Sequence, residues 1–227
     1  MIDIADTATD DFGNDIVLRQ MKSSAAGAEN ILLIGRFHGD EPEGEFILEK
    51  MMEELQDEKL ASPYNIFIIT CLNPSGKQKF TRANGHGIDL NRNYPTANFT
   101  AASVNPHTGN LSAGTPASEK ETQALIRWTE TYRPVRILSI HSDLHLVDYD
   151  GPAQELAARM AADSGYRLVE NVGYPTNGSF GTWAGIERQI PLITLETWKA
   201  ENTEDFVQIY RELRTAVFNF CRLTPKA

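Results

Sequence analysis

Cysteine is nearly missing: Cys71 and Cys221 are the only two in 227 residues. Two cysteines build no disulfide framework and no Cys-x-x-Cys metal knuckle, which points to a reducing compartment. Positive charge is also in short supply. Lys and Arg number 21 against 31 Asp and Glu, a formal net charge of -10, and such a field disfavours nucleic acid or an anionic membrane as the main partner. No apolar run is long enough to span a bilayer. The opening stretch MIDIADTATDD has neither a basic n-region nor an apolar h-region, so a cytoplasmic chain without a secretory signal is expected. Repeats and low-complexity tracts are absent. HExxH and HxxEH are absent too, which excludes the helix-borne zinc sites built on those motifs.

What is present is an ordinary globular composition, 41% hydrophobic, long enough to bury a core as one α/β domain over residues 1–227. Residues 1–14 read as a disordered or loosely packed start. Apolar β-rich runs alternate with amphipathic ones, the pattern of sheet and helix layers. Ile31 to Phe37, Asn65 to Leu72, Arg136 to Ile140 and Pro191 to Leu195 read as buried strands. Helices are expected from about Glu43 to Gln56, from a Ser118/Glu121 capping box to near Pro134, from Pro152 to Ala162 ending at Gly165, and from Glu204 to Phe220. The last presents Phe206, Ile209, Leu213 and Val217 on one face, as core packing. Tyr94 to Pro116 is polar and long, either a surface loop or a lid over substrate.

Three residues carry the chemical signal. His38 ends a buried strand, Glu41 follows three positions later at a helix start, and His141 ends another apolar strand. Strand C-termini line the ligand crevice of an α/β sheet. Two His and one Glu form a donor set suited to catalytic zinc, with a fourth position for water. An HxxE pair alone is weak, and a structural His38 is an equal reading of that pair. Glu196 ends the otherwise apolar run Pro191–Leu195, where a carboxylate needs a cation, a metal or water. Arg92 and Arg82 suit planar carboxylate binding, although in an extended chain Arg92 points away from Asp89 and Asn91. His86 and His107 read as solvent-facing, and His145 as a bystander.

The segments FHGDEPEG, LNPSGKQKFTRANGHGIDLNRNYPT, SIHSD and GSFGTWAGIERQIPLITLE, in that order, resemble the zinc carboxypeptidase family, and within it the murein peptide amidase branch. The resemblance implies a mixed central sheet flanked by helices and one Zn²⁺ per chain held by His38, Glu41 and His141. It implies that Asp89 orients a zinc histidine, Asn91 and Arg92 grip the substrate carboxylate, Arg82 polarises the scissile carbonyl, Glu196 is the catalytic glutamate and Tyr174 caps the substrate. The expected reaction is hydrolysis of the γ-D-glutamyl–meso-diaminopimelate bond of murein tripeptide. Asp143, in the acidic group with Asp148 and Asp150, is expected to read the distal ammonium. The alternatives are a deacylase of small N-acyl amino acids and a broader carboxypeptidase. Arg36, Phe37, Asp143 and Thr182 depart from the patterns common in the family.

Overall fold

The computed structural model describes residues 1–57, 60–105, 109–170 and 172–225. In chain order the elements are β1 (Ile2–Thr9), β2 (Asp15–Met21), β3 (Asn30–Ile34), α1 (Glu43–Asp57), β4 (Leu60–Ala61), β5 (Asn65–Ile69), α2 (Pro74–Lys79), β6 (Ala102–Asn105), β7 (Gly109–Ser112), α3 (Lys120–Tyr132), β8 (Arg136–Ser142), β9 (Leu146–Asp150), α4 (Gln154–Ser164), β10 (Arg167–Leu168), β11 (Leu192–Thr197), α5 (Thr203–Phe220) and β12 (Thr224–Pro225). One eight-stranded sheet runs β1-β2-β5-β3-β8-β11-β9-β10. Its centre, β5-β3-β8-β11, is parallel, and antiparallel pairings attach β2 and β9 on either side. The sheet is therefore mixed, as expected.

The period-2 alternation of each strand sorts side chains into two cores. Leu33, Ile140, Val147, Ile193 and Leu195 face α1, α4 and α5, where Ile47, Met160, Ile209, Leu213 and Val217 meet them. Ile34, Ile137 and Leu192 face the other way, against Leu125 and Trp128 of α3 and against Phe37, Tyr94, Phe180 and Trp183. The chain leaves β3 towards β5 on one side and returns to β8 on the other side of β3. That reversal opens a crevice at the C-terminal ends of β3 and β8. No helix among the described residues is long and apolar enough to cross a membrane.

Four local expectations are corrected. The first fourteen residues are ordered: β1 pairs with β2 from Ile2–Met21 to Thr9–Asp15. The Asp10 carboxylate caps the intervening turn by accepting from the Phe12 and Asn14 amides, and Trp128 Nε1 donates to Asp6. The strand expected over Ile31–Phe37 ends at Ile34, because Gly35 turns the chain against Gly44, where a Cβ would lie 2.7 Å from backbone carbon. The α3 cap is Glu119, with no capping hydrogen bond. Ser118 instead donates to Glu119, and Glu121 accepts from Asn84. Finally, the polar stretch from Tyr94 to Pro116 contains the β6–β7 hairpin. His107 lies outside the described residues.

Candidate active site

The turn after β3 is held by close backbone packing and by one buried arginine. A Cβ on Gly39 would sit 2.0 Å from the Gly76 carbonyl carbon, so only glycine allows the loop to lie against α2. Arg36, in the left-handed region at φ 39, donates through Nε and Nη2 to the Gly39 carbonyl at 3.1 and 2.9 Å. Its Nη1 pairs with Glu45 at 2.6 Å. Arg36 thus ties the His38 loop to α1, and its departure from the family pattern is a structural one. Phe37 stacks on the His141 ring at a centroid distance of 5.5 Å.

His38, Glu41 and His141 bring one donor atom each to within 4.8 Å of one another, and all three are buried. The two Nδ1 atoms converge on the same carboxylate, His38 at 2.8 Å from Glu41 Oε1 and His141 at 3.0 Å from Oε2, and they lie 3.2 Å apart. The far nitrogens are engaged elsewhere: His38 Nε2 lies 3.3 Å from Asp89 Oδ1, and His141 Nε2 lies 2.9 Å from the Ser139 hydroxyl. Outer partners of this kind set ring orientation and tautomer in metal sites. Burial pushes the His141 pKa down, which favours the neutral ligand form. Burial opposes ionisation of Glu41, but the His38 charge and the hydrogen bonds from both imidazoles prevail and hold its carboxyl well below the usual range. Two nitrogens and a carboxylate aimed at one point fit a divalent cation, and the donor chemistry fits zinc.

The neighbouring groups are set by one short helix and one tight turn. Asn73 caps α2 by accepting from the Gly76 amide and donates to the Arg82 carbonyl. Arg82 donates to Asp89 Oδ2 at 3.0 Å and to Glu41 Oε1 at 3.1 Å. Asp89, fully buried, caps a 3-10 turn over Leu90–Arg92 by accepting from the Asn91 amide. That turn resolves the geometry left open by the sequence: Asn91 and Arg92 reach the same cavity instead of opposite sides. Asn91 Oδ1 accepts from the Phe180 amide at 2.9 Å, while Arg92 Nε is buried with no partner. Across the crevice, β11 pairs with β8 so that Glu196 stands beside His141. Glu196 Oε2 is buried without a hydrogen-bond partner among the described residues. Burial, then the negative charge of Glu41, pushes its carboxyl up to about 8.

His38, Glu41, His141, Arg82, Asn91, Arg92, Asp143, Tyr174 and Glu196 all line one cavity of about 290 Å³, with Asp89 buried behind it. Asp148, Asp150 and Thr194 line the same cavity. The pairing of β9 with β11 puts Asp148 opposite Thr194 and Leu146 opposite Glu196, so the acids share the Glu196 face. Asp143 is exposed at the rim, whereas Asp148 and Asp150 are only partly exposed. Burial, then Asp150, raises the Asp148 carboxyl to about 7; burial raises Asp150 to about 6. Gly181 leaves room for that side chain, since a Cβ there would stand 2.0 Å from Asp150 Oδ2. Sequence reasoning missed Ser139 and Arg36. Ser139 had a readable signal, being two residues before His141 on one strand and hence on its face. His86 is only half free, with Nδ1 2.7 Å from Glu119. His145 sits edge-on to Tyr166.

Known proteins resemble this chain. The zinc carboxypeptidase family matches residues 4–170. Murein peptide amidase A of Escherichia coli K12 is 34% identical over 168 residues, 70% of this chain and 67% of the relative. The protein of the same description from Vibrio campbellii is 34% identical over 186 residues, covering 78% and 71%. Among solved structures, murein-tripeptide amidase MpaA from Escherichia coli O157 superposes with a TM-score of 0.80 at 28% identity, over 100% of this chain and 93% of that one. Carboxypeptidase A from Helicoverpa armigera shares the fold, with a TM-score of 0.76 at 17% identity over 98% and 68%. With its sheet, its buried His–Glu–His trio and these relatives, the chain belongs to the zinc carboxypeptidase family of metallopeptidases.

Proposed function

We propose that this chain hydrolyses the γ-D-glutamyl–meso-diaminopimelate amide of murein tripeptide. The observation that carries the reading is a single cavity with a zinc-type donor set and Glu196 near two arginines, and with partly buried acids on the same sheet face. The names of the relatives support the substrate class. His38, Glu41 and His141 would hold the zinc, which would supply Lewis acidity at the scissile carbonyl and lower the pKa of a water to about 7. A cation held beside Glu196 would favour its ionised form over the protonated one that burial favours; that carboxylate takes the proton from the attacking water and returns it to the leaving amine. Arg82 stabilises the developing oxyanion, and Asn91 and Arg92 fix the carboxylate beside the scissile amide. Tyr174 closes over the substrate.

Arg92→Ala is expected to raise KM at least tenfold for substrates with a free carboxylate, while Arg82→Ala mainly lowers kcat. Arg82 also holds Glu41 and Asp89, so zinc content is measured alongside. Identical kinetic profiles for the two variants would refute this division.

Asp148 and Asp150 are better placed than Asp143 to read the distal ammonium, because a partly buried acid discriminates more than an exposed one. Diaminopimelate, lysine and norleucine tripeptides test this. The acids are neutral below their raised pKa values and charged above them. KM for the diaminopimelate peptide should therefore fall as pH rises through about 6 to 7, while that for norleucine stays flat. Asp148→Asn should flatten the first profile and cost roughly tenfold or more in KM, the scale of a charge-assisted hydrogen bond. Equal cleavage of the norleucine peptide means a broader carboxypeptidase, and release of free acid from N-acyl amino acids instead means a deacylase.

A further inference from the structure

A second and larger cavity, about 820 Å³, lies at the opposite end of the sheet, lined by α4, α5, the start of β8 and the chain after α5. Arg136 opens β8 and lines this cavity while only 7% exposed. His141 stands five residues further along the same strand, roughly 17 Å away at strand rise, so the two cavities are separate sites. The Arg136 guanidinium lies over two rings, 4.3 Å from the Tyr64 centroid and 4.8 Å from that of Phe220. Ring faces attract a cation, but they accept no hydrogen bond from its in-plane N–H groups. Nε and Nη2 form one two-donor edge of the fork, and both are buried with no hydrogen-bond partner among the described residues. Leaving that edge of a desolvated charge unpaired is costly.

The surroundings are cationic. Arg159 and Arg222 line the same cavity, and the Arg222 guanidinium lies 5.6 Å from the Tyr64 ring. Two acids, Glu155 and Asp163, line it as well, and Asp163 accepts from Asn219 Nδ2 at 3.0 Å. A planar guanidinium fork suits bidentate oxygen pairs. Three guanidiniums against two carboxylates leave the lining net positive, which favours an anion, and a phosphate group offers the paired oxygens that a planar fork takes bidentately.

We propose that this cavity is a binding site for a small phosphate-bearing molecule, its oxygens taken by the Nε–Nη2 edge of Arg136 and its charge shared with Arg159 and Arg222. The test is calorimetric titration of inorganic phosphate into the zinc-loaded protein at constant ionic strength. It compares wild type, Arg136→Met, Arg159→Gln and Arg222→Gln, with peptide hydrolysis followed in parallel. Arg159 and Arg222 are exposed, so their variants should fold even if Arg136→Met does not, and that pair can decide alone. The expected result is a binding event weakened about tenfold in Arg159→Gln and Arg222→Gln and lost in Arg136→Met, with kcat/KM for peptide unchanged in the two glutamine variants. Binding of equal strength in all chains would put the phosphate in the metal cleft and overturn the proposal, as would no binding at all. Succinate is the second arm, and a succinate event without a phosphate event overturns the choice of phosphate.

Discussion

Glu196→Gln is expected to keep its zinc and its fold while losing roughly 10²–10⁴ in kcat, the scale of a positioned general base. The amide has nearly the shape of the carboxylate but cannot accept the proton of the attacking water. The environment makes the substitution a clean one. Glu196 Oε2 has no hydrogen-bond partner, so no existing bond to that oxygen is lost. The side chain lies beside Glu41 and is pushed up to about 8 by burial and then by that neighbour's charge. A neutral amide therefore matches the uncharged form that this environment favours and opens no void. Metal analysis and circular dichroism accompany the kinetics. Turnover within a fewfold of wild type, at full zinc content, would show that another group takes the proton.

The second large effect concerns the metal. His38→Ala, Glu41→Ala and His141→Ala should each lose most of about one zinc per chain and, with it, essentially all turnover. Glu41→Ala should be the most damaging to the local structure. Its carboxylate is the shared partner of both Nδ1 atoms and accepts from Arg82, so its loss leaves two facing imidazole nitrogens 3.2 Å apart beside an arginine. Ser139→Ala is a milder control. It removes only the hydroxyl at His141 Nε2, and loss of such an outer partner typically weakens a metal by about 10- to 100-fold. Inductively coupled plasma analysis of dialysed protein reads all four variants. Full zinc in the three ligand variants would end the assignment of the trio. Chelator-stripped wild type should lose turnover and regain it with added zinc.

Much of this molecule follows from its sequence because the signals are local. The apolar runs at Ile31–Ile34, Asn65–Ile69, Arg136–Ile140 and Leu192–Leu195 form strands of the parallel centre. The periodic stretches from Glu43 and from Glu204 form α1 and α5 within a residue or two of expectation. Gly165, at φ 74, ends α4 as a left-handed cap. Spacing alone put His38 and Glu41 on one loop and His141 at the end of a strand. Tertiary structure decided the rest. Whether the three donors met depended on β3 lying beside β8, a pairing between chain segments about a hundred residues apart. Asn91 and Arg92 share a cavity because Asp89 caps a turn, where the pattern left both an extended and a bent chain open. The acidic N-terminus is ordered through partners such as Trp128, which no neighbouring residue foretells. The sequence groups Asp143, Asp148 and Asp150 together, but the register of β9 against β11 buries two of them towards the cavity and leaves Asp143 at the rim. Hydrophobic period and turn chemistry are written along the chain, whereas depth and facing depend on which strands pair and in what register, and those are settled only when distant segments pack.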